Sequence, residues 1–312
     1  MKLYEYKKNE NFSGTDCVIA LGFFDGMHLG HRMLLARAKR YAEKMKLPFG
    51  VFTFKTDSDI KKGEGRIYSD KARASLIESE GVDFMISADF SDLAEMSPEK
   101  FVTDVLIGGI KARVAVAGFN YRFGKDARGD AQMLSELMRA DGGDALICEG
   151  YKVNGDVVSA TEIRELLLSG EIEKANLLLG APYRITGTVN HGRGVGSGMG
   201  FPTVNTSVKN GMINPKNGVY RTAVVIDGKI FTAITNVGVC PTFEKREIHH
   251  ETYIIGYNGD LYDRDIEIYF LNYLREEIAF SSEKQLIMQI TIDKSRAINE
   301  FGDITWQELG LK

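Results

Sequence analysis

The spacing of apolar residues changes at Pro182, and this change most limits the folds open to the chain. Before Pro182, short apolar runs typical of β-strands alternate with helical segments, which predicts a mainly parallel sheet with crossover helices. The strand-like runs are CVIAL (17–21), FGVFTF (49–54), VDFMIS (82–87), RVAVAG (113–118) and ALICEG (145–150). Between Ser159 and Gly180 the pattern predicts two short helices with a break at Gly170.

After Pro182 the strand-like runs follow one another closely. They are YRITGTVN, GVYRTAVVI, FTAITNVG, ETYIIGY and DRDIEIYF. The turn pairs Asp227-Gly228 and Asn258-Gly259 favour hairpins between successive strands. Closely spaced antiparallel strands of this kind predict a small barrel.

A closing helix is predicted near the end of the chain. It begins near Ser282, and Gln285 three positions later completes a capping box. Its apolar stripe is expected to be buried and consists of Leu286, Ile290, Ala297 and Phe301.

The 312 residues are enough for two domains of ordinary size. We therefore predict one domain over residues 1–180 and a second over 181–312.

Composition argues against several classes of partner. The net charge is −4, with both signs mixed along the chain, so we expect no nucleic-acid partner. Residues 1–14 lack the apolar centre of a signal peptide, and no apolar run reaches about 18 residues. We therefore expect a cytoplasmic protein with no membrane partner, and self-association stays open. Cys17, Cys148 and Cys240 are scattered without a CxxC pair, so reduced thiols are expected.

Two of the five histidines lie three residues apart in the stretch GFFDGMHLGH (22–31). His28 and His31 could be metal ligands, but no nearby cluster completes such a site. They could instead cap or pack the following helix. In a third interpretation they bind phosphate, because Gly22, Gly26 and Gly30 leave room for an anion beside the helix N-terminus. Imidazole donors would then neutralise charge during phosphoryl transfer.

Three motifs in order resemble one enzyme group, the HxGH nucleotidyltransferases. GFFDGMHLGH resembles the GxFDGxHxGH signature, SATEIR (159–164) is similar to the SSTxIR element, and GFNYRFGKDARGD (118–130) is similar to a segment of the flavin branch. The resemblance implies that His28, His31 and Arg164 are catalytic. The nucleotide-binding residues that it implies are Gly22, Phe24, Asp25, Gly26, Gly30, Asn120, Ser159 and Thr161.

A glycine-rich stretch, GRGVGSGMGFPTVN (192–205), lies in the second part of the chain. Its glycines could let backbone amides surround phosphate oxygens, although such a stretch is also typical of a flexible loop. Thr203 and Asn205 offer hard oxygen ligands suited to Mg²⁺. The stretch is similar to the GFPTAN loop of riboflavin kinases. This resemblance implies three nucleotide-binding residues, which are Gly196, Gly200 and Pro202.

Further kinase-like segments follow in order, at 217–220, 235–243 and 251–277. By the pattern of the riboflavin kinases, Glu251 is the catalytic carboxylate and Arg275 contacts the flavin. Without that resemblance, a lone strand glutamate would be interpreted as a solvated surface residue.

The two modules in this order resemble the bacterial bifunctional riboflavin kinase/FAD synthetases. That family implies an α/β fold, with an N-terminal doubly wound parallel-sheet nucleotidyltransferase domain followed by a C-terminal six-stranded antiparallel β-barrel with a closing helix. It also implies phosphorylation of riboflavin to FMN by ATP and adenylylation of FMN to FAD with release of pyrophosphate. Mg²⁺ and the small-molecule substrates riboflavin, FMN and ATP are the expected ligands.

The chain departs from the family pattern at several positions. Ala160 replaces the second serine of the SST element, and TFKTDSD (53–59) replaces TFEPHP. Ser197 and Cys240 stand where arginines are common. Two alternatives therefore stay open: only the kinase step is active, or the chain is a flavin- or nucleotide-sensing protein without catalysis. Retention of a carboxylate base argues against a sensor, because binding alone needs no base.

Overall fold

The structure is a computed structural model that describes residues 1–7, 14–55, 65–190, 200–207, 211–241 and 246–311. The chain forms two compact units, Met1–Ala160 and Thr161–Lys312. The predicted domain boundary between residues 180 and 181 differs from this division of contacts, and it stays a prediction.

The first unit contains a six-stranded parallel sheet in the order β1-β4-β3-β2-β5-β6. Its strands are β1 (Lys2–Glu5), β2 (Cys17–Leu21), β3 (Phe49–Phe54), β4 (Phe84–Ala88), β5 (Ala112–Gly118) and β6 (Asp144–Cys148). A two-stranded antiparallel sheet follows, formed by β7 (Lys152–Val153) and β8 (Asp156–Val157). The helices are α1 (Leu29–Met45), α2 (Asp70–Ser79), α3 (Phe90–Leu93), α4 (Pro98–Lys100) and α5 (Ala131–Ala140). The predicted parallel α/β fold is confirmed.

Both faces of this sheet are buried, which explains the uninterrupted apolar runs. On β2, Ile19 and Leu21 belong to one hydrophobic cluster, whereas Val18 and Ala20 belong to the cluster on the opposite face. Alternation of polar and apolar residues is absent because helices cover both sides of a parallel sheet.

A helix begins directly after Ser97, and it changes its winding after one turn. The Ser97 hydroxyl accepts a hydrogen bond from the Lys100 N–H at 3.4 Å, and Pro98 occupies the first turn. After Lys100 the chain continues as a π-helix over Phe101–Gly109. Apolar spacing over so few turns does not distinguish i→i+5 from i→i+4 hydrogen bonding.

Two helices join the two units along the chain, α6 (Ala160–Ser169) and α7 (Ile172–Leu179), and they are separated at Gly170 as predicted. Gly170 has φ +85°, a left-handed conformation that ends a helix at little cost in glycine. Helix α7 packs on the barrel, because the Asn176 side-chain amide donates to the Phe270 carbonyl at 2.8 Å and accepts from the Tyr183 N–H at 2.7 Å.

A closed six-stranded barrel follows, with strand order β10-β13-β12-β11-β14-β9 and antiparallel neighbours. Its strands are β9 (Tyr183–Asn190), β10 (Thr203–Ser207), β11 (Gly218–Ile226), β12 (Lys229–Pro241), β13 (Arg246–Ile254) and β14 (Asp265–Arg275). The predicted antiparallel barrel is confirmed.

One predicted hairpin is confirmed and one is wrong. Asp227 and Gly228 join β11 to β12 with positive φ angles of +48° and +73°. The hairpin predicted at Asn258-Gly259 does not form, since β13 pairs with β10 and β12 and not with β14. Both edges of β13 are already occupied in the closed barrel, so the next strand pairs elsewhere.

Three threonine side chains inside the barrel form a row of hydrogen-bonded hydroxyl groups, the threonine chain. The hydroxyl oxygens of Thr222 and Thr235 are 2.9 Å apart, and those of Thr235 and Thr252 are also 2.9 Å apart. All three side chains are buried. The threonine chain gives hydrogen-bond partners to hydroxyl groups that would otherwise be buried without them.

The closing helix is α8 (Glu283–Asn299), and the Ser282 hydroxyl caps it by accepting from the Gln285 N–H at 3.4 Å. Ala297 is fully buried, whereas Leu286 and Ile290 are partly buried. The prediction that Phe301 is buried is wrong. The helix ends before this residue, and its ring is 37% exposed, with the Arg221 guanidinium 5.2 Å from its centroid.

Candidate active sites

The first candidate site lies in the loop that joins β2 to α1. Gly22 directly follows β2, and the loop contains positive φ angles at Phe24 (+52°), Gly26 (+80°) and Met27 (+42°). A side chain at position 22 would approach the Phe24 ring to 3.1 Å. The Asp25 carboxylate fixes the loop from the other side, because it accepts a hydrogen bond from the Ile67 N–H at 3.1 Å.

The two histidines stack at the start of α1. His28 is the N-cap residue, and its Nδ1 accepts from the His31 N–H at 3.3 Å. The ring centroids are 3.7 Å apart with an interplanar angle of 20°. A Cβ at Gly30 would lie 3.1 Å from the His28 ring, so this glycine makes room for the imidazole. Capping therefore accounts for one nitrogen of His28 and leaves Nε2 as its N–H donor.

Burial keeps both imidazoles neutral. It lowers the pKa of His28 to about 4. It also lowers the pKa of His31 well below its usual value, with further lowering by the neighbouring His28 and by the positive charge of Arg73. An anion bound against these rings would favour their charged forms and raise both pKa values.

The other residues predicted for this site lie on several further elements. Asn120 is exposed just after β5, which pairs with β2, so both loops follow carboxyl ends at one edge of a parallel sheet. Ser159 immediately precedes α6. Thr161 and Arg164 lie one turn apart on α6 and belong to the second compact unit. Ala160 is the first residue of that helix.

The second candidate site is a cavity of about 310 Å³ against the barrel and α8. Three predicted residues line it: Glu251, Thr203 and Arg275. Most of the other lining side chains are apolar or aromatic, and they include Phe201, Val219, Ile234, Tyr253, Ile278, Phe280, Leu286 and Ile290. A cavity of this size with few polar groups is typical of a site for a small organic ligand.

Strand register brings Glu251 beside two amides. Glu251 on β13 is directly opposite Asn205 on β10 and Asn236 on β12. Directly paired residues share a face of the sheet, and Thr203, two positions before Asn205, shares it too. Thr252 belongs to the threonine chain inside the barrel. The adjacent Glu251 therefore points to the opposite face of the strand, where the cavity lies.

Arg275 is oriented by a buried carboxylate. Its Nε lies 3.1 and 3.0 Å from the two oxygens of Asp293, and its Nη2 donates to Oδ2 at 2.7 Å. Gln289 also donates to Asp293 at 3.0 Å. Sequence reasoning missed Asp293 and Asn236. A signal existed for Asp293, because a carboxylate between Ile290 and Ala297 on a buried helical stripe requires a cationic partner.

Several predicted positions lie outside the described residues. Gly196 and Ser197 fall within 191–199, and most of the altered segment 53–59 falls within 56–64. Gly200 is described and has φ +80°, and Pro202, two positions later, is exposed. The backbone of Cys240 lies in β12, but its side chain is not among those described.

Family models match both parts of the chain. The FAD synthetase model matches residues 11–162, and the riboflavin kinase model matches residues 179–301. In the parts of the chain that the structure describes, no helix is both long and apolar enough to cross a membrane.

Known proteins are similar over nearly the full length. The bifunctional riboflavin kinase/FMN adenylyltransferase of Bacillus subtilis is 33% identical over 296 residues, which cover 92% of this chain and 93% of the relative. That of Listeria monocytogenes is 34% identical and covers 91% and 92%. A crystal structure from Streptococcus pneumoniae, described as a macrolide-efflux protein, has a TM-score of 0.88 at 30% identity and covers 96% and 99%. The chain therefore belongs to the bifunctional riboflavin kinase/FMN adenylyltransferase family.

Proposed function

We propose that the two reactions of this enzyme occur at the two candidate sites, with riboflavin phosphorylated beside Glu251 and FMN adenylylated beside His28 and His31. The chain phosphorylates riboflavin to FMN with ATP and adenylylates FMN to FAD. The observation that carries the assignment is the position of Glu251, which lines an apolar cavity and is paired across the strands with two amides.

For the kinase reaction, Glu251 acts as the general base. It accepts the proton of the ribityl 5′-hydroxyl while that oxygen attacks the γ-phosphorus of ATP and the bond to ADP breaks. A primary hydroxyl is a poor nucleophile at neutral pH, so a positioned carboxylate raises the rate. The apolar lining accepts the flavin ring, and Arg275, held by Asp293, contacts it from the end of β14.

Mg²⁺ is the metal proposed for this site, and the donor set fits it. The Thr203 hydroxyl and the Asn205 amide oxygen are hard oxygen ligands two residues apart on one face of β10. When bound, the ion would neutralise charge on the phosphates of ATP. Gly196, Gly200 and Pro202 are proposed to contact those phosphates from the preceding loop.

The adenylyl transfer needs no base. An oxygen of the FMN phosphate attacks the α-phosphorus of ATP and pyrophosphate leaves, so the protein has only to align the groups and neutralise charge. His28 donates from Nε2, since its Nδ1 accepts the helix N–H. Thr161 and Arg164 are proposed to hold the leaving phosphates together with Ser159, and Arg164 offers a planar fork of donors.

The remaining assignments are also proposals. Asn120 contacts the FMN phosphate or ATP, and Gly22, Phe24, Asp25, Gly26 and Gly30 form the nucleotide loop. Residues 1–180 carry adenylyl transfer and residues 181–312 carry the kinase reaction. We propose a cytoplasmic protein with small-molecule substrates and neither a nucleic-acid nor a membrane partner. Self-association is compatible with these assignments, and sedimentation velocity measures it.

Single substitutions test the separation into two sites. With riboflavin and ATP, Glu251→Gln should make no FMN, yet with FMN and ATP it should make FAD at the parent rate. His31→Ala should do the reverse. Chromatography of the flavins over time measures both reactions, and Glu283→Gln on the exposed start of α8 is the matched control. If either active-site change stopped both reactions in folded protein, the assignment would be wrong.

A further inference from the structure

Arg73 lies on α2, and its side chain is 1% exposed. Its Nη1 donates to the Phe23 carbonyl at 2.7 Å, and its Nη2 donates to the Phe54 carbonyl at 2.6 Å. Nη2 also lies 2.7 Å from the Asp70 carboxylate. Phe23 follows β2 and Phe54 ends β3, so one planar group joins the carboxyl ends of two adjacent strands.

The loop that Arg73 holds is in an unfavourable conformation. Phe24 and Met27 have positive φ angles of +52° and +42°, which cost free energy in residues with a Cβ. Such conformations persist only where several contacts determine them. Besides Arg73, the Thr53 hydroxyl donates to the Phe23 carbonyl at 3.1 Å.

The burial of Arg73 has a cost that its contacts offset only in part. Burial lowers the pKa of the guanidinium, and Asp70, the carboxylate that pairs with it, has a side chain that is 45% exposed. An ion pair between a buried guanidinium and a half-exposed carboxylate adds little net stability. The effect of Arg73 is therefore expected in the geometry of the loop, where its rigid planar fork of donors binds two carbonyls at once.

We propose that Arg73 is a positioning residue for adenylyl transfer, which fixes the loop from Phe23 to His28 so that both imidazoles face the phosphates. This inference rests on the proposed adenylyl-transfer site. Arg73 touches no reacting atom. One of its hydrogen bonds ends on the Phe23 carbonyl, directly before Phe24, and the loop leads from there to His28, the N-cap of α1. The positive charge of Arg73 also helps to keep His31 neutral before ATP binds.

The test uses the full chain with Arg73→Met and Arg73→Lys. Misplacing a catalytic group by about 1 Å can cost about 10²-fold in rate. Arg73→Met should lower kcat for FMN to FAD by about that factor, with KM values for FMN and ATP within about twofold. Arg73→Lys, which keeps the charge and can bind one carbonyl, should recover part of the loss. Riboflavin phosphorylation by the same samples should be unchanged, as should both reactions in Arg139→Met, a control at an exposed arginine.

Two results would overturn the inference. One is a kcat for FAD formation within about twofold of the parent in folded Arg73→Met. The other is a loss that appears in KM alone, which would indicate binding and not alignment. If Arg73→Met does not fold, Arg73→Lys and Thr53→Val decide the question. Arg73→Lys keeps a contact with only one of the two carbonyls, Thr53→Val removes one hydrogen bond to Phe23, and each should lower kcat.

His31→Ala, measured in parallel, separates this inference from the site assignment. If His31→Ala stops FAD formation and the Arg73 variants do not affect it, only the role of Arg73 is wrong. If His31→Ala leaves FAD formation intact, the proposed site is wrong, and the inference about Arg73 is wrong with it.

Discussion

The two candidate sites, to which we assign two transfers from ATP, present different kinds of side chain. At the β2–α1 loop the groups offered are buried, neutral imidazoles, whereas at the barrel the key group is an exposed carboxylate beside an apolar cavity. The difference follows from the nucleophiles. A phosphate is already anionic and needs charge neutralisation, but a hydroxyl needs a base. The two regions should therefore respond independently to substitution.

The largest effect is expected at Gly30. A Cβ there would press on the His28 ring at 3.1 Å, and His28 is pinned by its helix-capping hydrogen bond. Gly30→Ala should lower kcat for FAD formation by about 10- to 100-fold. Riboflavin phosphorylation should stay at the parent rate. Since alanine favours helix by about 1 kcal/mol over glycine, the loss should occur without lower thermal stability. Equal losses of kcat in both reactions would contradict the independence of the two sites.

A smaller effect, on stability alone, is expected inside the barrel. Thr235 is the middle of the threonine chain, so Thr235→Val leaves Thr222 and Thr252 without this partner. The free energy of unfolding of the second unit should fall by about 1–3 kcal/mol. The kinase kcat should be unchanged in folded protein, because this chain faces away from Glu251. Chemical denaturation measures the change, and Thr232→Val on the same strand is the control.

Removal of the carboxylate that orients Arg275 should have a more modest effect. Asp293→Asn weakens the bidentate contact while keeping the side-chain shape. We expect KM for riboflavin to rise about tenfold, which corresponds to about 1.4 kcal/mol, while FMN adenylylation is unaffected. Initial rates over a range of riboflavin concentration measure the change. An unchanged KM would show that riboflavin binding does not depend on the orientation of Arg275 by Asp293.

The smallest effect is a difference in titration between two buried histidines. Burial lowers the pKa of both His28 and His250 to about 4. ATP should raise the pKa of His28 by about one unit or more and leave that of His250 inside the barrel unchanged. Proton NMR titration with and without ATP measures both, and equal shifts would contradict the separation of the sites.

The same depressed pKa makes the barrel sensitive to acid. Between about pH 6.5 and pH 4 the unfolded state binds a proton at His250 that the folded state does not, so stability is present above this range and is lost as the pH falls through it. For a shift of this size the free energy of unfolding should drop by about 2 kcal/mol from pH 7 to pH 5.

Much of the fold could be predicted because local patterns and long-range packing agree. The strand-like runs of the first unit are apolar on both faces, as a covered parallel sheet requires. The predicted hairpin at Asn258-Gly259 was wrong because strand pairing in a closed barrel is decided by distant strands and not by the turn. Phe301 was placed on a helical stripe that in fact ends two residues earlier.

Among the residues of the candidate sites, some could be predicted from motifs and others could not. Glu251, Thr203 and Arg275 were predicted from motifs and meet at one cavity. Arg73 and Asp293 carry no motif, and their contacts are with residues far away in the sequence. Residues that act on the backbone of a loop, or through another side chain, are defined only by the folded structure.

The most direct test of the central claim is complementation between two inactive variants. Glu251→Gln and His31→Ala are mixed and supplied with riboflavin, ATP and Mg²⁺, and FAD is followed over time by chromatography. Neither variant alone should form FAD, whereas the mixture should form it after a lag, because His31→Ala releases the FMN that Glu251→Gln adenylylates. A mixture that makes FMN but no FAD would contradict two independent sites in one chain.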